Sequence, residues 1–322
     1  MTNDRTAKPY RPIYSSTAGR PEFSVVIPTY NRAEKLLRGL TSLNNQSFVD
    51  FEVLVCDDGS TDDTRSVVDH FRPGIRFREL RYFYSPNWGG PARPRNTGIR
   101  EASAEWICFL DSDDIWHPRK LEKTVACRDK YDLIYHAFDL RTATGKLTPL
   151  TARSLKKPVF RDLMLNGHNG CIINSGVCVR KTMLQLAGGF SEDPALIGVE
   201  DADCWLKISR MTDAFKYIPD RLGTYYLDGG NITVYNRTLF DKLLFLFDSH
   251  SPFLGDASAI TRAGRTNAYH LGRIMHIMGN IREARGLYFS ALRSPNPRLV
   301  IRALAWILFI YCKQKKLFGH EL

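Results

Sequence analysis

The sequence predicts an α/β fold, a mixed, mostly parallel sheet with helices on both faces, followed by a C-terminal all-helical segment. Three observations carry that reading. Short β-branched or apolar runs alternate with helix-period stretches as far as residue 227. The runs at 23–27, 51–56 and 106–110 each end in a polar loop. Beyond residue 236 only helix-period patterns remain. Alternating strands and helices pack as a parallel sheet with crossovers on its faces. Ligands of such sheets lie beyond the carboxyl ends of the strands, so the loops after these three runs converge on one edge.

The first 22 residues read as a flexible arm, polar, broken by Pro9, Pro12 and Pro21, and without the apolar core of a secretory signal. The run 23–27 then meets a turn at Pro28, Thr29, Tyr30 and Asn31, and Leu36, Leu37, Leu40 and Leu43 follow at helical spacing. A second strand, 51–56, ends in Asp57, Asp58, Gly59 and Ser60. Ser60 and Asp63 have the spacing of a capping box for a helix carrying Val67, Val68 and Phe71. A third strand near 81–84 leads through a Gly/Pro-rich loop to a helix over 97–104. The strand 106–110 comes next and delivers Asp111, Ser112, Asp113 and Asp114 at its end.

Further strands are expected over 131–138, 171–179, 215–219 and 223–227, with helices over 159–165 and 181–187, the latter closed by Gly188. Glu200, Asp201 and Asp203 open another helix, where first-turn carboxylates meet the positive end of the dipole. Helices over 238–247, 259–278, 282–292 and 298–311 complete the chain. The change of pattern near 231–236 separates a domain at 23–232 from a helical region at 233–322.

Composition narrows the class. A hydrophobic content of 43% and a charged content of 25% over 322 residues allow a large core. From Thr261 onward eleven basic residues face two acids, so +9 of the net +11 belongs to the C-terminal segment and not to the sheet. No nucleic-acid-binding motif accompanies that charge, so nucleic acid is not the expected partner. Seven cysteines form no CxxC pair and several sit in apolar runs, which predicts reduced thiols and a cytoplasmic setting. The longest apolar run, 299–312, holds Arg302 and falls short of the roughly 20 residues that cross a bilayer.

Five motifs in order resemble those of inverting glycosyltransferase family 2, of GT-A fold. They are Val25 to Arg32 (VVIPTYNR), Val55 to Asp62 (VCDDGSTD), Ala92 to Ile99 (ARPRNTGI), Phe109 to Asp114 (FLDSDD), and Gly188, Gly189 and Phe190 with Glu200 to Trp205 (EDADCW). The resemblance implies a nucleotide-sugar donor, UDP-linked by preference, held by Pro28, Thr29, Tyr30, Asn31, Asp58, Arg95, Asp111 and Ser112. It implies Mn2+ or Mg2+ on Asp113, because a departing nucleoside diphosphate gathers negative charge that a hard cation neutralises. It also implies Asp201 as the base that deprotonates the acceptor hydroxyl, with Glu200 touching the acceptor or orienting that base. No Q-x-x-R-W element of processive polymerases follows, so one sugar is transferred, to a saccharide or lipid-linked acceptor of surface polysaccharide assembly.

On the residues alone, Asp58 also reads as an Asp-Gly turn, Arg95 as a surface arginine, and the acids at 200–203 as plain dipole partners. Residues 299–316 fit either an interfacial helix with a basic flank at the inner face of a membrane or a buried helix or oligomer contact. Two rival functions remain: a nucleotidyltransferase of similar layout, and a membrane-associated scaffold with a vestigial nucleotide site.

Overall fold

The computed structural model describes residues 19–150, 152–167, 172–227 and 235–318, with side chains through Cys312. The expected arm as far as residue 18 and most of the expected boundary near 231–236 lie outside the described residues, as do the side chains of the basic flank after Cys312. Two compact units emerge. The first falls within Met1–Ala152, Ile173–Leu186 and Lys216–Asp228, the second within Arg153–Ile172, Ala187–Phe215 and Gly229–Leu322. Packing thus divides the chain differently from a single cut near residue 232. The segments 153–172 and 187–215 cluster with the C-terminal helices because contact, not sequence order, defines a core.

In the first unit the strands are β1 (Phe23–Thr29), β2 (Phe51–Asp57), β3 (Glu79–Tyr84), β4 (Trp106–Phe109), β5 (Ile115–Trp116), β6 (Leu133–Thr142), β7 (Leu147–Leu150), β8 (Cys178–Arg180) and β9 (Phe215–Leu227). They form one sheet in the order β3-β2-β1-β4-β8-β6-β9-β5, with β7 on β6. β3, β2, β1 and β4 run parallel; β8 then pairs antiparallel with β4, and β6 antiparallel with β8. All of β1 and β2 is buried, as expected of parallel strands covered on both faces. Register places Thr29 opposite Asp57 and Val26 opposite Phe109, so β1, β2 and β4 end at one edge.

The helices of this unit are α1 (Ala33–Asn44), α2 (Thr64–Phe71), α3 (Ala92–Glu101), α4 (Lys120–Val125) and, later in the chain, α6 (Lys181–Leu186). Helix α3 lies close on β1: a Cβ at Gly98 would stand 2.3 Å from Cγ1 of Val26. Burying Glu52 inside β2 requires partners, and its carboxylate accepts from Ser24 Oγ, Ser103 N and Ser103 Oγ at 2.6–2.7 Å.

Several local expectations are corrected. The capping box of Ser60 and Asp63 does not form. Asp63 makes no side-chain cap bond to α2; instead Asp62 accepts from Thr64 N at 3.0 Å and from Ala33 N at 3.1 Å, tying the starts of α2 and α1 together. The strand expected over 171–179 is a 3-10 turn, Asn174–Gly176, followed by the short β8, and the two strands expected between 215 and 227 are one, β9. Gly223 keeps β9 continuous there: a Cβ would meet the Phe138 ring at 2.5 Å and the Ile115 carbonyl at 2.9 Å.

The expectation that all thiols are reduced is also overturned. Cys108 of β4 and Cys178 of β8 are register partners and form a disulfide with a Cα–Cα separation of 4.0 Å. A 70-residue separation hid the pair, which only strand register brings together. Among the described residues Cys56, Cys127 and Cys312 are thiols outside any disulfide.

The second unit is helical: α5 (Val159–Asn166), α7 (Glu200–Ser209), α8 (Arg237–His250), α9 (Ala257–Ile277), α10 (Ile281–Ala291) and α11 (Pro297–Phe318). Asn236, Asp256 and Asn280 cap α8, α9 and α10 by accepting the N–H three residues on. Close contact of α9 with α10 depends on Gly272, whose Cβ would lie 3.0 Å from the buried Tyr288 ring. Helix α11 buries Leu299, Ala303, Ile307 and Ile310 and exposes Ile301, Leu304, Leu308 and Tyr311 on its other side. No helix among the described residues is long and apolar enough to cross a membrane.

Candidate active site

At the shared edge of β1, β2 and β4, backbone geometry assembles the expected donor residues. Asn31, at φ 49°, turns the chain after β1; its N–H donates to Ser60 Oγ at 2.8 Å and its Oδ1 accepts from Thr61 N at 2.8 Å. The Thr29 carbonyl accepts from Asp58 N at 2.9 Å. The turn holding Pro28, Thr29, Tyr30 and Asn31 is thereby locked to the turn after β2, with the Tyr30 ring exposed.

Asp58 is buried, and its carboxylate accepts from Trp88 N at 3.0 Å and Gly89 N at 3.1 Å. Burial pushes its carboxyl up, while the N–H groups of Trp88, Gly89 and Gly90 pull it down. Its first task is therefore to pin the loop over 87–90. Gly59 permits that approach: it stands at φ +88°, and a Cβ there would meet Asn87 N at 2.6 Å. Arg93 stacks on the half-exposed Trp88 ring at 3.6 Å.

The three carboxylates after β4 have separate fates. Asp111 is partly accessible and accepts from Arg95 Nη2 at 2.8 Å and Asn174 Nδ2 at 3.1 Å. Arg95 is buried, so α3 carries it to the site and not to the surface. Asp113 accepts from Arg32 Nη1 at 2.7 Å. Burial raises its carboxyl above the usual range, Arg32 opposes the rise and Asp111 adds to it. Asp114 is fully buried, takes the Ser175 hydroxyl and accepts from Tyr226 N at 3.2 Å. Burial, then Asp113 and Asp111, hold it well above the usual carboxylate range. It braces the turn, and Ser112 is buried beside it.

Among the described residues no three His, Cys, Asp or Glu side chains group as a cation cage. The donor set still fits a hard divalent ion that takes most of its ligands from phosphate and water. Asp113 offers a carboxylate oxygen, and the mutual repulsion of Asp113 and Asp111 is what a cation relieves.

Glu200 and Asp201 open α7 in the helical unit. Glu200 is buried and accepts from Gly198 N, which fixes the turn into the helix. Asp201 accepts from Ala202 N at 2.7 Å and lines a cavity of that unit. Asp203 is removed from solvent by His250 at 2.9 Å and Lys207 at 2.7 Å. Sequence reasoning left Arg32, Asn174, Ser175 and Tyr226 without a role. Arg32 lay inside a recognised motif and could have been found there; the other three stand 60 or more residues from their partners, where no local signal reaches.

Comparison with known proteins agrees with this layout. The family model described as glycosyl transferase family 2 matches residues 24–186. The poly(ribitol-phosphate) beta-N-acetylglucosaminyltransferase TarP of Staphylococcus aureus is 41% identical over 103 residues, 31% of this chain and 30% of TarP. The GalNAc(5)-diNAcBac-PP-undecaprenol beta-1,3-glucosyltransferase of Campylobacter jejuni is 41% identical over 95 residues, 29% of this chain and 30% of that protein. The matched stretch thus spans less than a third of either relative.

Among solved structures, the 1–349 portion of S. aureus TarS with UDP-GlcNAc superposes with a TM-score of 0.59 over 92% of each chain at 19% identity. A Pyrobaculum calidifontis mannosyltransferase with GDP-Man and Mn2+ gives 0.54 over 94% of this chain and 89% of its own, at 18% identity. At such identities the likeness speaks for the fold, which is the GT-A fold expected from the motifs. With a family model covering half its length and that family's motifs built into one sheet edge, the chain belongs to glycosyl transferase family 2.

Proposed function

We propose that the chain is an inverting transferase that moves one sugar from a nucleotide-sugar, UDP-linked, to a saccharide or lipid-linked acceptor in surface polysaccharide assembly. The observation that supports this most is the gathering of Asp58, Asp111 and Asp113 at the carboxyl ends of β2 and β4, each carboxylate held by a fixed partner. Carboxylates alone repel a diphosphate, so acids preorganised in this way suit one through a hard divalent cation held between them and the phosphates. Relatives named for poly(ribitol-phosphate) and undecaprenol-linked acceptors point the same way.

In this reading Tyr30 and the loop pinned by Asp58 cover the base, a uracil N–H sharing an Asp58 oxygen with that loop. Asp111, with Arg95, serves the ribose side. Mn2+ or Mg2+ bound at Asp113 would supply the counter-charge for the departing diphosphate. Asp201 takes the proton of the acceptor hydroxyl; the acceptor oxygen bonds to the anomeric carbon from the face opposite the nucleotide, and the sugar–phosphate bond breaks to release UDP. Glu200 keeps Asp201 oriented through the turn it fixes.

The test is turnover with a nucleotide-sugar panel, with and without Mn2+, beside UDP calorimetry. Asp201→Asn is expected to abolish transfer and keep UDP affinity within about twofold, the pattern of a lost proton acceptor. Asp113→Ala is expected to lose the metal-dependent part of UDP affinity. Unchanged turnover in Asp201→Asn overturns the base assignment, and pyrophosphate release from a nucleoside triphosphate would replace the reading with nucleotidyl transfer.

For α11 the proposed role is peripheral contact with an anionic membrane surface at its cytoplasmic face. Support comes from the exposed Ile301, Leu304, Leu308, Phe309 and Tyr311, ahead of Lys313, Lys315 and Lys316 in the sequence.

A further inference from the structure

The helical unit encloses a cavity of about 420 Å3, within the range of small-ligand sites, and among the described residues Asp201 is the one carboxylate in its lining. Its walls mix two kinds of chemistry. Trp205 and Tyr269 present aromatic surface, Trp205 braced edge-on by Phe190 at 5.6 Å and Tyr269 packed against His270 at 5.5 Å. The lining also includes Arg273 from α9 and Arg302 from α11.

Arg273 is half-buried, positioned over the Trp306 ring at 4.3 Å and bonded to the Tyr288 hydroxyl. Arg302 is exposed, and its charge reaches His270. Burial, with Arg302 adding to it, pushes the His270 imidazole down to about 4, so it stands neutral in the wall with Nε2 buried and without a hydrogen-bond partner among the described residues. Among those residues neither arginine pairs with a carboxylate, so the lining carries two positive charges against the single negative charge of Asp201.

Like charges gathered in a concave, partly desolvated site repel until an anion enters. Guanidinium groups suit phosphoryl oxygens in particular, through paired, planar donors. We infer that this cavity is the acceptor subsite and that the acceptor carries a phosphate, whose oxygens Arg273 and Arg302 hold while Trp205 and Tyr269 cover its carbon skeleton. The hydroxyl to be glycosylated is then presented to Asp201. The assignment of the hydroxyl rests on the transferase reading; anion capture by the two arginines does not. A polyol phosphodiester and a lipid-linked diphosphate sugar share this chemistry.

Calorimetry on the full chain without donor tests the inference, using a short glycerol-phosphate oligomer, a short-chain prenyl diphosphate sugar and neutral glycerol oligomers as probes. At least one phosphate-bearing probe is expected to bind and the neutral one not; the preferred phosphate probe identifies a polymer or a lipid carrier as the source. Arg302→Gln, at an exposed site where folding is not at stake, is expected to weaken binding tenfold or more, and Arg273→Gln at least as much. Both should keep UDP affinity and, in the transfer assay, raise the acceptor KM with little change in kcat. Equal binding of the neutral probe, no binding of either phosphate probe, or wild-type affinity in both variants overturns the inference. UDP affinity in the same samples decides the transferase reading separately.

Discussion

Gly98 offers a direct way to couple packing to the donor site. Its replacement by alanine adds one methyl group that would stand 2.3, 2.7 and 3.1 Å from Cγ1, Cγ2 and Cβ of Val26, where carbon contacts normally lie at roughly 3.5–4.0 Å. Val26 is β-branched in a fully buried strand and has few rotamers to yield, so α3 must move off β1 by about 1 Å. Such overpacking costs about 3 kcal/mol at the upper end of its range, and the better helix propensity of alanine returns about 1. The net loss is about 2 kcal/mol, a fall in melting temperature of roughly 4–8 °C.

The same movement draws Arg95, one turn earlier on α3, from its 2.8 Å contact with Asp111. Turnover should therefore drop by more than stability requires, on the order of tenfold or greater. The assay is a double-mutant cycle with Val26→Ala, read by urea unfolding and donor turnover. Val26→Ala alone loses about 2 kcal/mol of burial but makes room for the new methyl, so the pair should couple favourably by about 2 kcal/mol. Additivity within about 0.5 kcal/mol would refute the argument that α3 and β1 are in contact limited by this glycine.

Two further outcomes are expected. His136 is buried, its Nδ1 on the Ala137 carbonyl at 2.8 Å, and burial, with Lys120 adding to it, pushes the imidazole down from 6.5 to about 3. The unfolded chain therefore binds a proton that the folded chain refuses between those pH values, and stability falls as pH drops through that window and levels off below it. At pH 5, about 1.5 units below the unfolded value, the loss is about 2 kcal/mol relative to pH 7.5. His270, which burial holds at about 4, adds a comparable loss, so His136→Gln should remove about half of the acid dependence in urea melts, and an unchanged acid dependence would reject the role of His136. For α11, Leu304→Asp with Leu308→Asp should cut co-sedimentation with anionic liposomes severalfold without lowering the melting temperature; equal sedimentation rejects the membrane role.

Much of the fold was legible because strand and helix periods are local. The runs ending at Ile27, Cys56 and Leu110 read as buried strands from their own composition, and parallel connection rules send their ends to one edge. The loops that carry Asp58, Asp111 and Asp113 could be placed at that edge for the same reason, whereas the roles expected of these residues came from the family resemblance. Helix ends were less legible. Ser60 and Asp63 had capping spacing, yet Ser60 serves Asn31 and Asp62 takes the backbone of α2, because the turn after β1 competes for the same groups.

What the sequence determined by itself was the kind of chain: an alternating α/β domain with acidic loops at strand ends, a basic helical tail and the motifs of its family. Tertiary structure alone decided which charges meet. It gave Asp113 to Arg32, Asp111 to the buried Arg95 and Asp114 to Ser175 and Tyr226, joined Cys108 to Cys178, and set Arg273 and Arg302 around the cavity of Asp201. The physical reason is range. Backbone propensity and hydrophobic period act over a few residues, whereas pairing, burial and the electrostatic shifts that follow depend on register and packing between segments tens to more than a hundred residues apart.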